Sequence, residues 1–219
     1  MGDTRRTVAG EGKKNRIRRD TWAIIATGPS VDETQAEKIH AAGVKTCVVN
    51  DGWRLAPWAD LLYACDYRWF DVHYDTVRAG FAGEIWTVDK KASEKYAGLN
   101  YIPGKNGDGL AENEPIHYGG NSGYQAINLL YARYDAAVII LVGYDMGHDN
   151  GKKHFFGDHP GALDVNSPYP MFVRAYETIG KPEATGLTII NATRKTALTC
   201  FPQMTIDDAL RKYPNHVSR

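Results

Sequence analysis

Apolar and polar residues alternate along the chain in blocks whose lengths suit short strands and helices. Six apolar runs, rich in β-branched residues, are short enough to be buried strands; they span 22–27, 44–50, 61–65, 84–88, 137–142 and 187–191. Five segments place apolar residues at helical spacing; they span 32–42, 66–79, 122–134, 169–179 and 205–212. Residues 103–120 and 144–168 show neither period and are predicted to be long loops.

The order of these elements predicts the fold class. Strand and helix patterns alternate, and several strands are apolar on both faces. Parallel sheets covered by helices on both sides produce this combination. We therefore expect one α/β domain over 21–219, with a mostly parallel sheet and helices on both faces, and a chain of 219 residues fits a single domain.

Charge is balanced overall but not locally. The chain has 26 Lys and Arg against 26 Asp and Glu, which argues against attraction of the whole surface to nucleic acid or membrane. Residues 5–19 are strongly basic and lack apolar periodicity, so 1–20 is predicted to be a flexible, solvated arm. A weak contact between this arm and nucleic acid is the less favoured interpretation.

Cysteine usage and the N-terminus point to a reducing compartment. Cys47, Cys65 and Cys200 are odd in number and widely separated, which favours reduced thiols over a disulfide framework. The N-terminus lacks the apolar segment of a signal peptide, and no run approaches the roughly 20 apolar residues of a membrane helix. The expectation is a cytoplasmic protein without a membrane span.

Small, polar or acidic residues recur where the predicted strands end. The corners read Thr27-Gly28-Pro29-Ser30, Asn50-Asp51, Asp66, Gly143-Tyr144-Asp145 and Asn191-Ala192-Thr193. Ligands of open parallel sheets bind at the carboxyl ends of the strands, near the point where strand order reverses. Five such corners on one edge predict a polar ligand pocket.

Two of the candidate turns lead into a helix. The corner 28–30 precedes the helix over 32–42, and the turn 119–123 (GGNSG) opens the helix over 122–134. A helix N-terminus binds phosphate through free backbone N–H groups, but Ser30, Asp32 or Asn121 acting as an N-cap explains the same residues. Both interpretations stay open. Neither a G-x-G-x-x-G fingerprint nor a P-loop lysine is present.

The loop 144–168 carries His148, His154 and His159 together with several acidic residues. Their spacing matches no compact zinc signature. A histidine acting as general base is the more economical interpretation, because its pKa lies near working pH.

Taken in order, these motifs resemble those of the bacterial sialyltransferases of glycosyltransferase family 42. The motifs are GPS at 28–30, ND at 50–51, NSG at 121–123, GYD at 143–145, HFFGDH at 154–159 and NAT at 191–193. The resemblance runs over nearly the whole chain from residue 22, and small phage-encoded proteins carry a similar motif string.

The resemblance implies a Rossmann-like domain that binds a nucleotide sugar, of CMP or UDP type, as co-substrate without a metal or other cofactor. It implies inverting transfer to an acceptor hydroxyl, with His159 as the general base, His154 as the second choice and His148 as a source of positive charge. The residues assigned to the nucleotide are Gly28, Pro29, Ser30, Asn50, Asp51, Asp66, Asn121, Ser122, Gly123 and Asp145.

One departure from the family keeps other functions open. The family stabilises the departing phosphate with a tyrosine pair after the G-I-D strand end, where this chain has DMGHDNGKKHFF. His148, Lys152 or Lys153 would have to supply that charge. The alternatives are a phosphate-transferring enzyme similar to the archaeal pterin diphosphokinases, with a divalent metal at Asp66 or Asp145, a nucleotide-binding phage protein without catalysis, and a glycosyltransferase acting on DNA bases.

Four aromatic residues leave the oligomeric state open. Trp53, Trp58, Trp69 and Phe70 suit a core, an acceptor platform or an interface between copies in a homo-oligomer.

Overall fold

Most of the strands form one parallel sheet, and the first described strand lies in its interior, paired on both sides. The computed structural model describes residues 20–149, 151–157, 163 and 167–215. The strands are β1 (Asp20–Ile25), β2 (Lys45–Val49), β3 (Leu61–Tyr63), β4 (Glu84–Thr87), β5 (Leu99–Tyr101), β6 (Gly104–Lys105), β7 (Ile116–His117), β8 (Ala136–Val142) and β9 (Thr188–Asn191). Seven of them make one sheet in the order β5-β4-β3-β2-β1-β8-β9, and β6 pairs with β7 separately.

Every pairing in the large sheet is parallel. From β1 the chain runs outward through β2 to β5, and then returns to place β8 on the opposite side of β1. Strand order therefore reverses between β1 and β8. The crevice outside the carboxyl ends of these two strands is the place where open α/β sheets bind ligands.

The helices cover both faces of the sheet. They are α1 (Glu33–Ala41), α2 (Tyr67–Gly80), α3 (Lys90–Lys95), α4 (Ser122–Arg133), α5 (Tyr169–Glu177) and α6 (Ile206–Lys212), with short 3-10 turns at Asn50–Arg54 and Pro182–Thr185. Buried residues of α4 and α5 belong to one hydrophobic core, and those of α1, α2, α3 and α6 belong to another.

Successive side chains of the central strands point to opposite faces of the sheet, so these strands contribute to both hydrophobic cores. In β1, Trp22 and Ile24 face the core beneath α4, whereas Ala23 and Ile25 face the core beneath α1 and α2. Both sides of the strand are apolar because both sides are covered. The α/β class with a mostly parallel sheet and helices on both faces is confirmed.

All six predicted strands and all five predicted helices are present, within a few residues of the expected bounds. Missing from the prediction were α3, β5 and the two-residue pair β6 and β7. α3 carries a single buried residue, Ala92, so its sequence holds almost no apolar period. β5 is an edge strand with two exposed residues and gives an equally weak signal.

The predicted arm lies outside the described residues, except for Asp20, which begins β1. Cys47, Cys65 and Cys200 are all free thiols, as expected. Within the described ranges, none of the helices combines the length and apolarity needed to span a bilayer.

Candidate active site

A cavity of about 600 Å³ opens at the carboxyl edge of the sheet, at the reversal point between β1 and β8. Its walls come from the corners after β1, β2, β3 and β8, from the start of α4, and from α5. The predicted residues that line it are Gly28, Asn50, Asp66, Asn121, Ser122, Gly123, Asp145 and His154. The fold therefore brings together residues from separate segments of the sequence.

The corner after β1 is built around Asp145, which follows β8. A Cβ atom at Gly28 would lie 2.0 Å from Oδ1 of Asp145 and 2.4 Å from the Gly143 carbonyl oxygen. The Gly28 N–H donates to that same carbonyl at 2.9 Å. Glycine is required because the two strand ends approach each other at this point.

Asp145 is nearly buried, and its Oδ2 accepts the Ser30 backbone N–H at 3.0 Å. Burial raises the pKa of this carboxyl above its usual value, although hydrogen bonds from Ser30 oppose the shift. Pro29 and Ser30 are not on the cavity wall, and α1 is capped by Asp32, whose Oδ1 accepts the Gln35 N–H at 3.1 Å. The Ser30 backbone thus holds Asp145, and the N-cap of α1 is Asp32. Phosphate binding at this corner stays a prediction.

Asn50 and Asp51 face different ways after β2. Asn50 lies on the cavity wall and adopts a left-handed backbone conformation, φ 48°, which asparagine tolerates better than most residues. Asp51 points into the interior, where its side chain is fully buried and Oδ2 accepts the Trp69 indole N–H at 2.9 Å. Its Oδ1 forms an ion pair with Arg54 at 2.8 Å. The assignment of Asp51 to the nucleotide stays a prediction; its observed contacts are to protein side chains.

The turn before α4 both caps that helix and forms part of the cavity wall. The Asn121 Oδ1 accepts the Tyr124 N–H at 2.9 Å and the Tyr176 hydroxyl at 2.7 Å. The side-chain amide oxygen of Asn121 thus accepts two hydrogen bonds from the protein, and one of them caps α4, as the capping interpretation predicts. The backbone of Ser122 and Gly123 forms the first turn of α4 at the cavity, where a helix directs its N–H groups outward.

The third strand contributes Cys65 and Asp66 to the wall. The Ser122 hydroxyl donates to Cys65 Sγ at 3.0 Å, joining this corner to the start of α4. Burial, followed by the nearby charge of Asp66, raises the pKa of the Cys65 thiol to about 12. Asp66 itself is exposed at the start of α2.

The three histidines have different positions. His154 lines the cavity, with Nδ1 at 3.2 Å from Thr27 Oγ1 and its ring stacked on Phe156. His148 is exposed and contacts the ring of Tyr169 edge-on. His159, the preferred general base, lies outside the described residues.

Several wall residues were not predicted. Arg68 brings positive charge to the cavity, and Tyr169, Phe172 and Tyr176 come from α5. Lys153, one of the predicted sources of charge for the departing phosphate, also lies on the wall. Burial raises the pKa of Tyr169, while the charges of Asp145 and Lys153 act on it in opposite directions. The 169/172/176 spacing is that of one helical face, so the available signal was an aromatic stripe on the predicted helix. In the described part of the chain, no group of three His, Cys, Asp or Glu side chains is arranged to hold a metal ion.

No protein-family model matches the sequence, and no curated protein sequence matches it. Neither finding supports the resemblance to the sialyltransferases. Among solved structures, the chain is similar to the MAf glycosyltransferase from Magnetospirillum magneticum AMB-1, with a TM-score of 0.58 and 16% identity. The match covers 88% of this chain and 35% of that protein, so the chain spans about a third of its length. At this identity the likeness concerns the fold alone.

Proposed function

We propose that this chain is a glycosyltransferase that moves a sugar from a nucleotide sugar, of CMP or UDP type, to an acceptor hydroxyl. The observation that carries the proposal is the cavity at the reversal point, where the Gly28 corner, Asn50 and the first turn of α4 share one wall. The fold likeness to a glycosyltransferase supports the same class of reaction, but a fold alone does not select a chemistry.

In the proposed reaction the acceptor oxygen attacks the anomeric carbon of the donor sugar. The new C–O bond forms as the bond between that carbon and the phosphate oxygen breaks, and the nucleotide leaves with the electron pair. Negative charge then grows on the phosphate. Lys153, Arg68 and the N-terminal turn of α4 line the cavity and supply positive potential for this charge.

A histidine takes the proton of the acceptor hydroxyl, since a neutral hydroxyl is a poor nucleophile. His154 can do so through Nε2 when its Nδ1–H donates to Thr27 Oγ1, the atom 3.2 Å away. His159 remains the choice implied by family resemblance. Both are therefore included in the test.

The first test is a thermal-shift screen of the full chain with CMP, CDP, UMP, UDP and AMP. A ligand that binds only the folded state adds about 2.7 kcal/mol at 100 times its Kd. For a chain of this length, that corresponds to a rise in Tm of about 5–10 °C. If none of the nucleotides raises Tm, the proposal fails.

The second test is transfer with His154→Gln and His159→Gln, using His40→Gln as a control because His40 is exposed on α1, outside the cavity wall. Loss of the general base should lower kcat by about 10²–10⁴-fold and leave the nucleotide-induced shift in Tm intact. Phosphate transfer that disappears with a chelator would favour the metal-dependent, pterin diphosphokinase-like alternative instead. Binding without turnover over a broad acceptor panel, DNA with hydroxylated bases included, would favour a nucleotide-binding protein.

A further inference from the structure

A buried carboxylate lies behind the cavity and contacts its wall from the rear. The side chain of Asp51 has no exposed surface and is not part of the cavity lining. Its Oδ2 accepts the Trp69 indole N–H at 2.9 Å and lies 3.8 Å from His73 Nε2, while Oδ1 pairs with Arg54 at 2.8 Å. A buried charge requires such partners, so the group is held firmly in place.

Arg54 extends this arrangement toward the loop that follows β8. Its side chain is half-exposed, and the guanidinium carbon lies 5.1 Å from the centroid of the Phe156 ring. A cation over an aromatic face is attracted by the ring quadrupole. The ion pair with Asp51 fixes the guanidinium group, and that group in turn restrains Phe156.

Phe156 stacks on His154, with ring centroids 5.1 Å apart and planes 5° from parallel. From the other side, Thr27 holds the same segment through its hydroxyl and its carbonyl. His154 Nδ1 lies 3.2 Å from Thr27 Oγ1, and the Phe155 N–H donates to the Thr27 carbonyl at 3.2 Å. The imidazole is thus confined between the corner after β1 and the Asn50–Arg54 turn after β2.

We propose that Asp51 and Arg54 are positioning residues for His154, acting through Phe156. Asp51 does not line the cavity; it orders Arg54, Arg54 orders Phe156, and Phe156 sets the plane of the imidazole. The consequence for transfer rests on the proposed function, whereas the positioning itself does not.

The positioning is tested without substrate by ¹H–¹³C correlation spectra of the full chain labelled at histidine Cε1. The chain has seven histidines, and His154→Gln identifies the His154 signal. Arg54→Met and Phe156→Leu should both move that signal, because the ring-current field at the imidazole changes. Arg54→Lys, which keeps a cation, should move it less than Arg54→Met.

Lys38→Met is the matched control. The Lys38 side chain is 42% exposed, the same as Arg54, and likewise pairs with an aspartate, Asp207, but neither residue lines the cavity. If Arg54→Met moves the His154 signal no more than Lys38→Met does, the proposal is overturned. Asp51→Asn, which weakens the ion pair with Arg54, should also move the His154 signal. The variants at the half-exposed Arg54 keep the test decisive even if Asp51→Asn does not fold.

Transfer kinetics give the second readout. Displacement of the imidazole should lower kcat roughly 10- to 100-fold in Arg54→Met and leave KM for the donor within about twofold. An unchanged kcat together with a displaced His154 signal would overturn the consequence for transfer, because His154 would then not be the general base, and would leave the positioning supported. If the wild-type chain transfers no sugar, the proposed function fails, and the spectra still decide whether Asp51 and Arg54 position His154.

Discussion

The backbone N–H of Ser30 donates to Oδ2 of Asp145 at 3.0 Å, a contact between residues 115 positions apart. Ser30 belongs to the corner after β1, and Asp145 follows β8. The two strands that flank the reversal of strand order therefore end in a shared contact, and Gly28 lies within it. This arrangement explains a glycine at the corner through a close protein contact, whether or not a ligand is bound.

Gly28→Ala should destabilise the protein strongly. Its Cβ would lie 2.0 Å from Asp145 Oδ1 and 2.4 Å from the Gly143 carbonyl oxygen, and the second of these is backbone that cannot rotate away. We expect a loss of about 2–4 kcal/mol in the free energy of unfolding, measured by urea denaturation.

Gly147→Ala is the control for that substitution. At Gly147 the nearest atom to an added Cβ is the Asp145 carbonyl oxygen at 4.0 Å, so the methyl group has room. The change should stay within about 0.5 kcal/mol. Equal losses for the two variants would show that the close approach at Gly28 is not what the corner depends on.

Asp145→Asn should alter how stability depends on pH. The pKa of Asp145 is raised from its usual 3.8, chiefly by burial, so the folded state holds this proton more tightly than the unfolded state. The resulting stability is fully present below pH 3.8 and is lost as pH rises through the raised pKa. The asparagine variant lacks this contribution.

The measurement is the free energy of unfolding of both proteins between pH 3.5 and 7, a window that starts below about 3.9, the pKa of an unfolded aspartate. The difference, wild type minus Asp145→Asn, should fall as pH rises. A difference that grows with pH would mean that the carboxylate is stabilised in its charged form, contrary to the burial of Asp145.

Asn121 tests the capping role of the turn before α4. Asn121→Ala removes the acceptor of both the Tyr124 N–H and the Tyr176 hydroxyl, so we expect a loss of about 2–3 kcal/mol. Asn121→Asp keeps both acceptors and should cost less than about 1 kcal/mol.

Asn100→Ala, at an exposed position on β5, is the reference for a surface asparagine in the same denaturation series. If Asn121→Asp is as unstable as Asn121→Ala, the amide nitrogen matters more than the cap. That nitrogen donates to the Gly119 carbonyl at 3.3 Å.

The strands, the main helices and the corners of the site were predictable because each leaves a local signal. β1 and β8 are apolar on both faces, and the corner Gly28 interrupts such a run. Parallel strands then place their carboxyl ends on one edge, which is why the sequence alone was enough to group Asn50, Asp66 and Asp145.

Side-chain direction was not predictable. Asn50 and Asp51 follow the same strand, but the left-handed backbone at Asn50 opens a 3-10 turn, and Asp51 is then buried against Trp69 and Arg54. Likewise, the aromatic stripe on α5 does not by itself indicate that Tyr169 approaches a cavity built by β1 and β8. Both facts depend on how distant segments pack.

The reactivity of the Cys65 thiol shows whether burial or the nearby helix N-terminus controls its pKa at the cavity wall. α2 begins two residues after Cys65, and a helix N-terminus lowers a thiol pKa. Burial and the charge of Asp66 act in the opposite direction and dominate, raising the pKa to about 12.

At pH 8 only about one thiol in 10⁴ is then ionised, so iodoacetamide should modify Cys65 about 10³-fold more slowly than a free cysteine with a pKa near 8.5. Peptide mass spectrometry measures the rate, which should rise about tenfold per pH unit between pH 8 and 10. Cys200, whose pKa burial raises to about 11, is the internal comparison and should react faster than Cys65. Rapid modification of Cys65 at pH 8 would mean that the helix N-terminus prevails at this wall and stabilises negative charge there.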